Sequence, residues 1–141
     1  MSAKSFATAR IMEVWAHGQD IFDALKVPRK ATDRLRHIAH MGVATFGWSF
    51  MNRHMEVPSD DVRVELLGPT GERWTWGPDG AKNRVEGSAE DFCLVVTQRR
   101  NVADTGLTVA GTTAAQWMAM AQAFAGPASD PPKPGQRMVS Y

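Results

Sequence analysis

Hydrophobic residues in the first part of the chain recur every three or four positions, the spacing of an amphipathic helix. The helix is expected to end before Pro28. Thr32 offers an N-cap with Asp33 in the first turn, which predicts a second helix that continues to Phe50. The second helix is apolar on two sides and is expected to lie between two layers. The apolar stripe of the first helix comprises Ile11, Val14, Trp15, Gly18, Phe22 and Leu25.

Apolar and polar residues then alternate with a period of two, which predicts β-strands. The first strand is expected at residues 62–66, and the turn sequence at 69–71 leads into a hairpin partner at 73–76. The two tryptophans of that partner, Trp74 and Trp76, share one face. A short third strand is expected at 84–86.

The last part of the chain alternates between helix and strand. Ser88 is the expected cap of a helix that runs to Arg99, and a strand follows at 107–110. Thr113 begins a capping-box pattern, so a last helix is expected to run through Phe124 and to end at Gly126. This order of elements predicts an α+β fold, with an antiparallel or mixed sheet and helices on one face. The proline-containing segment 128–141 is expected to be a disordered tail.

Composition narrows the class of protein. Hydrophobic residues make up 43% and charged residues 22% of the 141 residues, as in globular proteins. The net charge is +1, so we expect no binding to nucleic acid or to a membrane surface. The one cysteine, Cys93, lies in an apolar run and is expected to be a buried free thiol. The chain has neither a bilayer-length apolar run nor a signal-peptide pattern, which predicts a cytoplasmic protein.

Candidate metal ligands lie on a second face of the first helix. Glu13, His17 and Asp20 are four and three residues apart, within about sixty degrees of one another on an α-helix. A carboxylate and an imidazole four residues apart suit zinc and similar divalent metals. Two ligands do not complete a site, because protein zinc sites use at least three. The spacing alone leaves open that this is an exposed polar face.

Other candidates for chemistry are less specific. His37 and His40 are three residues apart in the second helix, a poor but possible chelating pair. The alternative is that they are core or interface histidines that hydrogen-bond to the backbone. Arg99 and Arg100 end an apolar helix, where they either interact with the helix dipole or bind an anionic substrate.

The stretch from Ala7 to Asp20 resembles the last helix of the metal-binding four-helix bundle in mycothiol-dependent maleylpyruvate isomerases and their DinB-like relatives. In that family a Glu-x-x-x-His pair supplies two metal ligands, which correspond to Glu13 and His17. Residues 33–42, 74–78, 91–100 and 121–127 are similar to one subgroup of the family, sometimes labelled as having a wyosine base formation domain. The resemblance implies a last bundle helix at 1–27 and a sterol-carrier-like α+β domain at 28–127.

The resemblance also implies a function. It points to a metal-binding protein, an isomerase or transferase that uses a divalent metal such as zinc and a low-molecular-weight thiol of the mycothiol type. Arg99 or Arg100 would then face a small-molecule substrate. The third family ligand is a histidine on an earlier bundle helix, so we expect the site to be incomplete in this chain and completed by a second copy or a partner chain. The alternative is a non-catalytic module that binds an apolar ligand or dimerises through the Trp74 and Trp76 face.

Overall fold

The computed structural model describes residues 2–137, which form helices packed on one mixed sheet. The elements, in chain order, are α1 (Ala3–Leu25), α2 (Leu35–Ala44), α3 (Phe46–Met51), β1 (Val62–Leu67), β2 (Arg73–Trp76), β3 (Asn83–Ser88), α4 (Ala89–Val96), a short 3-10 turn (Val102–Asp104), β4 (Thr108–Ala110) and α5 (Thr112–Met120). The predicted α+β class is confirmed. Within the described part of the chain, no helix combines the length and the apolar character needed to cross a membrane.

The four strands lie in the order β2-β1-β3-β4. β1 pairs antiparallel with β2 and parallel with β3, and β4 is an edge strand that pairs antiparallel with β3. The predicted hairpin is therefore present, and the sheet is mixed. Because side chains alternate along a strand, Val64, Leu66 and Val85 all point to the inner face, where each is at most 1% exposed.

Helices α2, α4 and α5 cover the inner face, and aromatic rings fill the space between the layers. The ring of Trp117 in α5 lies edge-on to Phe46 and Phe92, with ring centroids 5.2 and 5.8 Å apart. Gly42 brings α2 close to α4, because a Cβ atom there would lie 2.9 Å from both Phe92 Cε1 and Val96 Cγ2. The core thus depends on one small residue at the crossing of these two helices.

The opposite face of the sheet carries charged side chains. The Glu65 carboxylate, in the middle of β1, accepts hydrogen bonds from Arg63, Arg73 and Arg84 at 3.1 to 3.2 Å. The hydrogen bond from Arg63 and the surrounding positive charge lower the pKa of Glu65. This face is therefore polar, as the strand period requires.

The single second helix predicted from the sequence is two helices. Thr45 separates α2 from α3, with φ −97° and ψ 15°. Its hydroxyl donates to the carbonyl oxygens of Met41 and Gly42, at 2.8 and 3.1 Å. A threonine that bonds back to the preceding turn bends a helix. The start also differs, since α2 begins at Leu35 without a side-chain cap, and Thr32 and Asp33 lie in the preceding turn.

The last helix begins before the predicted capping box and ends earlier than predicted. α5 begins at Thr112 after Gly111, and Thr113 donates to the Asp60 carboxylate (2.7 Å) rather than capping the helix. The chain becomes extended at Ala121. Residues beyond it bond to neighbouring helices, since Ala123 N–H donates to the Val96 carbonyl at 2.9 Å. These tertiary bonds replace the helical bonds that the sequence pattern favours.

The segment expected to be a disordered tail has defined contacts over residues 128–137. Ser129 Oγ donates to Gln98 Oε1 at 2.7 Å, and Asn101 Nδ2 donates to the Pro132 carbonyl at 3.0 Å. Arg137 reaches back to α1. The prolines exclude regular structure here, yet polar groups of the domain hold the segment in place. Residues 138–141 lie outside the described residues.

Candidate functional site

Helix α1 packs on the domain through a face that the sequence did not identify. Met12, Ala16 and Gln19 are its buried residues, whereas Val14 and Leu25 of the predicted apolar stripe are 62% and 68% exposed. The remaining large residues of that stripe are half-buried. Periodicity shows that a helix has an apolar side, but it does not show which edge of a broad apolar side meets the core.

Arg29 fixes the half-buried side of α1. Its guanidinium lies over the rings of Trp15 and Phe22, 5.2 Å from each centroid, and donates to the Trp15 carbonyl at 2.7 Å. Gly18 leaves room for it, because a Cβ there would be 3.2 Å from Arg29 Nη2. Cation–π contacts of this kind hold the loop after α1 against the helix.

A further apolar face of α1 is exposed. Phe6, Val14, Ile21 and Leu25 are between 62% and 68% exposed. Successive members of this set are four to eight residues apart, so they follow one side of the helix. Glu13 and His17 border the same side, with side chains 54% and 75% exposed. Both candidate ligands therefore lie beside an apolar surface that nothing in residues 2–137 covers.

Two clefts lie on the other side of Glu13 and His17, away from the exposed apolar face. They share lining residues and together form one trough along α1. The larger has a volume of about 540 Å³ and the smaller about 320 Å³. Met12, Glu13, Phe124 and Ala125 line both. The larger is otherwise lined by Phe6, Ala9, Arg10, Met41, Thr45, Trp48 and Ala123, and the smaller by Ala16, His17, Thr97 and Arg99.

The smaller cleft brings together candidates that are far apart in the sequence. Glu13 and His17 come from α1, and Arg99 follows α4 on the other side of the same cleft. The fold thus places one arginine and the two candidate metal ligands around one space. The trough combines an apolar wall with a few polar groups, as small-molecule sites do.

Arg99 and Arg100 have different surroundings. Arg99 donates to both carboxylate oxygens of Asp20, at 3.2 and 3.1 Å, and its side chain is 17% exposed. Arg100 donates to both oxygens of Asp23, at 2.7 and 2.8 Å, where both side chains are about 10% exposed or less. Arg100 therefore fastens α1 to the domain, and Arg99 is the arginine that borders the cleft.

Arg137 joins the two pairs. It donates to Asp20 at 2.9 Å and to Asp23 at 2.7 Å. Burial by itself raises the pKa of Asp23, but the hydrogen bonds from Arg100 and Gln19 and the nearby positive charge lower it to about 2. The pKa of Asp20 is also lowered, because Arg99 and Arg137 outweigh the effect of burial. Both carboxylates are thus held ionised.

Both carboxylate oxygens of Asp20 are engaged by arginine side chains. Its two oxygens bond to Arg99 and Arg137, while His17 Nδ1 lies 4.0 Å from Asp20 Oδ2. A role as a metal ligand would require it to give up these bonds. The arrangement instead makes Asp20 the group that positions Arg99 beside the cleft.

The two histidines of α2 lie elsewhere. His37 and His40 are exposed, and neither lines the trough along α1. His40 Nδ1 accepts a hydrogen bond from Trp76 Nε1 at 3.2 Å. Across residues 2–137, no three His, Cys, Asp or Glu side chains come together as a metal-holding group.

Sequence inspection missed Asp23 and Arg137. Asp23 follows Asp20 by three residues, so the two acids lie one helical turn apart on the same side of α1. Together with the consecutive arginines Arg99 and Arg100, this spacing is the sequence signal that could have identified the cluster. Arg137 gave no such signal, because it lies in a segment with no periodic pattern.

Comparison with known proteins gives a partial match. Residues 58–109 match the Wyosine base formation family, which covers the region from β1 into β4. Two uncharacterised proteins of Mycobacterium tuberculosis, one from each of two strains, are 54% identical to the chain over 127 residues. The match covers 90% of this chain and 49% of each relative, so the chain spans about half the length of the curated relatives it matches. No solved structure matches the chain.

The family match supports the similarity to the subgroup labelled with a wyosine base formation domain. The DinB-like bundle helix, the mycothiol-dependent chemistry and the sterol-carrier-like domain stay predictions.

Proposed function

We propose that this chain contributes to the metal and substrate site of a thiol-dependent isomerase or transferase, with Glu13 and His17 as metal ligands. The observation that carries the proposal is the single cleft lined by Glu13, His17 and Arg99. A cation between the first two residues and an arginine opposite them would hold a thiol and an anionic substrate next to each other.

The ligand atoms of Glu13 and His17 are of the types that zinc and similar cations bind. Glu13 and His17 offer a carboxylate oxygen and an imidazole nitrogen from successive turns of one rigid helix. Both side chains are more than half exposed, and their contacts within α1 are long, 3.5 Å from Glu13 to Arg10 and 4.0 Å from His17 to Asp20, so both could turn toward a common ion. The pair falls short in number, because a zinc site requires at least three ligands. The remaining ligand or ligands must come from outside the described residues of a single chain.

The bound metal would lower the pKa of a thiol and so favour its nucleophilic thiolate form. Arg99 would orient an anionic group of the substrate, and Asp20 would keep the guanidinium in position. Cys93 is unsuited to be that thiol, since it is fully buried and its burial raises its pKa strongly. The thiol is therefore expected to come from a small molecule.

A second candidate function rests on the larger cleft. Its apolar lining around Trp48 and Phe124 suits the binding of an apolar ligand without catalysis. Its volume of about 540 Å³ lies in the range of small-molecule sites. The Trp74 and Trp76 face expected to form such a pocket does not do so, because Trp74 is 3% exposed and packs in the core. The apolar surface of this candidate is therefore the trough beside α1.

Zinc titration against a chromophoric chelator tests the metal assignment. We expect the wild-type chain to bind zinc weakly, because it supplies two of the at least three ligands, and we expect Glu13→Gln and His17→Ala to weaken binding further by at least about tenfold. His37→Ala is the matched control, because His37 is an exposed histidine of another helix and lies outside the trough. Circular dichroism would verify that each variant remains folded.

Equal zinc affinity in wild-type, Glu13→Gln and His17→Ala protein would contradict the metal assignment. The same samples distinguish the second candidate. An apolar fluorescent probe that binds equally well with zinc, without zinc and in His17→Ala would favour an apolar-ligand module over a metal enzyme.

A further inference from the structure

The two clefts of the trough follow one another along α1. Phe6 lines only the larger cleft, His17 lines only the smaller cleft, and Glu13 lines both. At a rise of about 1.5 Å per residue, Phe6 and His17 are about 16 Å apart along the helix. Arg99 bonds to Asp20, one turn beyond His17, so it lies at the end of the trough that is farther from Phe6. An arginine, the two candidate ligands and an apolar cleft therefore follow one another in that order.

The part of the trough wall that Ala123 and Phe124 contribute is held by hydrogen bonds. The Phe124 carbonyl accepts from Trp48 Nε1 and from Gln122 Nε2, both at 3.2 Å. The Ala123 N–H donates to the Val96 carbonyl at 2.9 Å. These bonds come from three different parts of the chain, so the wall is formed before any ligand binds, as is usual for small-molecule sites.

Arg99 retains donors for a ligand. A guanidinium group has five N–H groups. Nε and Nη2 of Arg99 donate to Asp20, and Nη1 donates to the Thr97 carbonyl at 2.8 Å. Among residues 2–137, these bonds leave one N–H on each of the two terminal nitrogens. Two parallel N–H groups of one planar guanidinium match the two oxygens of a carboxylate.

The charges around Arg99 favour a ligand with a single negative charge. Three guanidinium groups and two ionised carboxylates form one bonded cluster, which carries one net positive charge. Its members are Asp20, Asp23, Arg99, Arg100 and Arg137. Glu90 is close to Arg100, but Arg29 balances its charge. A carboxylate would neutralise the cluster, whereas a phosphate, with a charge of about −1.5 to −2, would leave excess negative charge beside Asp20.

We propose that the trough binds a carboxylic acid with an apolar tail, and that this one molecule spans both clefts. Its carboxylate binds Arg99, and its apolar tail lies in the larger cleft against Trp48 and Phe124. The carbon atoms between the two ends then lie beside Glu13 and His17. This inference rests on the proposed function, for which it names the substrate class and places the reacting carbon between the carboxylate and the tail.

The length of the trough is the reason for the tail. A small polar acid would occupy the smaller cleft of about 320 Å³ and leave the apolar lining of the larger cleft in water. Each tail methylene that leaves water improves affinity about fourfold. An acid with a ten-carbon chain should therefore bind much more tightly than one with four carbons.

The experiment is isothermal titration calorimetry of the full chain with decanoate, butyrate and decanol at pH 7, below the concentrations at which they aggregate. EDTA is present, so that no carboxylate binds through a metal. Decanoate should bind at least about a hundredfold more tightly than butyrate, as the burial of three to four methylenes gives. It should bind at least about tenfold more tightly than decanol, because only the carboxylate makes charge-assisted hydrogen bonds.

Variants at each end of the trough locate the two parts of the ligand. Arg99→Gln should weaken decanoate binding about tenfold and leave decanol binding unchanged, which also shows that the variant is folded. Arg34→Gln, at an exposed arginine that does not line the trough, is its control. Ala9→Glu places a charge in the larger cleft and should weaken both ligands at least about tenfold. Ala7→Glu, at an exposed position of α1 outside the trough, should weaken neither.

The outcomes separate this inference from the metal assignment. Decanol that binds as tightly as decanoate, or wild-type decanoate affinity in Arg99→Gln, would overturn the position of the carboxylate. Equal affinities of Ala9→Glu and Ala7→Glu would overturn the position of the tail. If the preference for decanoate holds while His17→Ala leaves zinc binding unchanged, the ligand class stands and the metal assignment fails. If His17→Ala loses zinc but decanoate is not preferred, the ligand class alone is overturned.

Discussion

Asp20 and Asp23 are one helical turn apart and bind two consecutive arginines, Arg99 and Arg100, which therefore have different roles. Asp20 holds Arg99 at the edge of the smaller cleft, whereas Asp23 holds Arg100 in the contact between α1 and the domain. A change at Asp23 should therefore affect stability, and a change at Asp20 should affect the proposed binding of an anionic substrate in the cleft.

Asp23→Asn is predicted to destabilise the fold by about 2 kcal/mol at pH 7, because it weakens charge-assisted hydrogen bonds in a mostly buried pair. The pKa of Asp23 in the folded state, about 2, is below the value of about 3.9 for an unfolded aspartate. The unfolded chain therefore takes up the proton first as the pH falls. This contribution is complete above about pH 5 and is lost as the pH approaches 2.

Urea unfolding at pH 7 and at pH 3 measures both effects. The control is Asp79→Asn, at a side chain that is 90% exposed, and it should change stability by less than about 0.5 kcal/mol. If Asp23→Asn matched the control at pH 7, or if wild-type and Asp23→Asn protein lost stability equally between the two pH values, Asp23 would not anchor α1.

The sequence allowed some residue roles to be predicted and not others. Glu13 and His17 are four apart on one helix, so local geometry is enough to pair them. The distinction between Arg99 and Arg100 depends on which acid each one meets 77 or 79 residues away. Such contacts leave no periodic pattern, and Arg137 was missed for the same reason.

At the scale of elements, the bounds of α1 and the three sheet strands of the central region were predicted well, because caps, prolines and turns are local features. The buried face of α1 and the break at Thr45 were not. The side of α1 that meets the domain depends on a tertiary contact, the position of Arg29 over two rings. The break at Thr45 is local, because the threonine hydroxyl bonds to the preceding turn, but an apolar pattern does not reveal such a bond.

The crossing of α2 and α4 gives a prediction at this scale. Gly42→Ala should destabilise the fold by about 1–2 kcal/mol although alanine favours helix, because its Cβ would overlap Phe92 and Val96, which are at most 1% exposed and have no room to move. Gly47→Ala in α3 is the matched change, since the nearest atom to its Cβ would be 3.9 Å away.

Thermal unfolding of the two variants measures the difference. Gly47→Ala should be neutral or more stable than the wild type, by at most about 1 kcal/mol. Stabilisation of Gly42→Ala by the same amount would show that α2 and α4 are not in close contact at this point.

At the scale of the whole molecule, the α+β class could be predicted from the order of elements. The hairpin turn also predicted the antiparallel pairing of β1 with β2. The parallel pairing of β1 with β3 was not specified, because it depends on how the chain crosses the sheet rather than on any local pattern. The path of residues 128–137 was also missed, since polar contacts rather than an apolar stripe hold them in place.

The molecule thus presents one side of α1 that is apolar and exposed, one trough that is lined from several elements, and two candidate ligands on the border between them. The claim that organises these features is that Glu13 and His17 hold a metal to which a thiol binds. A probe that detects the metal and the thiol at once is therefore the most direct test.

Cobalt(II) substitution is that measurement, because a thiolate bound to cobalt adds a charge-transfer absorption band in the near ultraviolet. We predict that a low-molecular-weight thiol produces this band with the cobalt-loaded wild-type chain and with His37→Ala, but not with His17→Ala. A band of equal intensity in His17→Ala, or cobalt-loaded wild-type protein whose spectrum no thiol changes, would contradict the account.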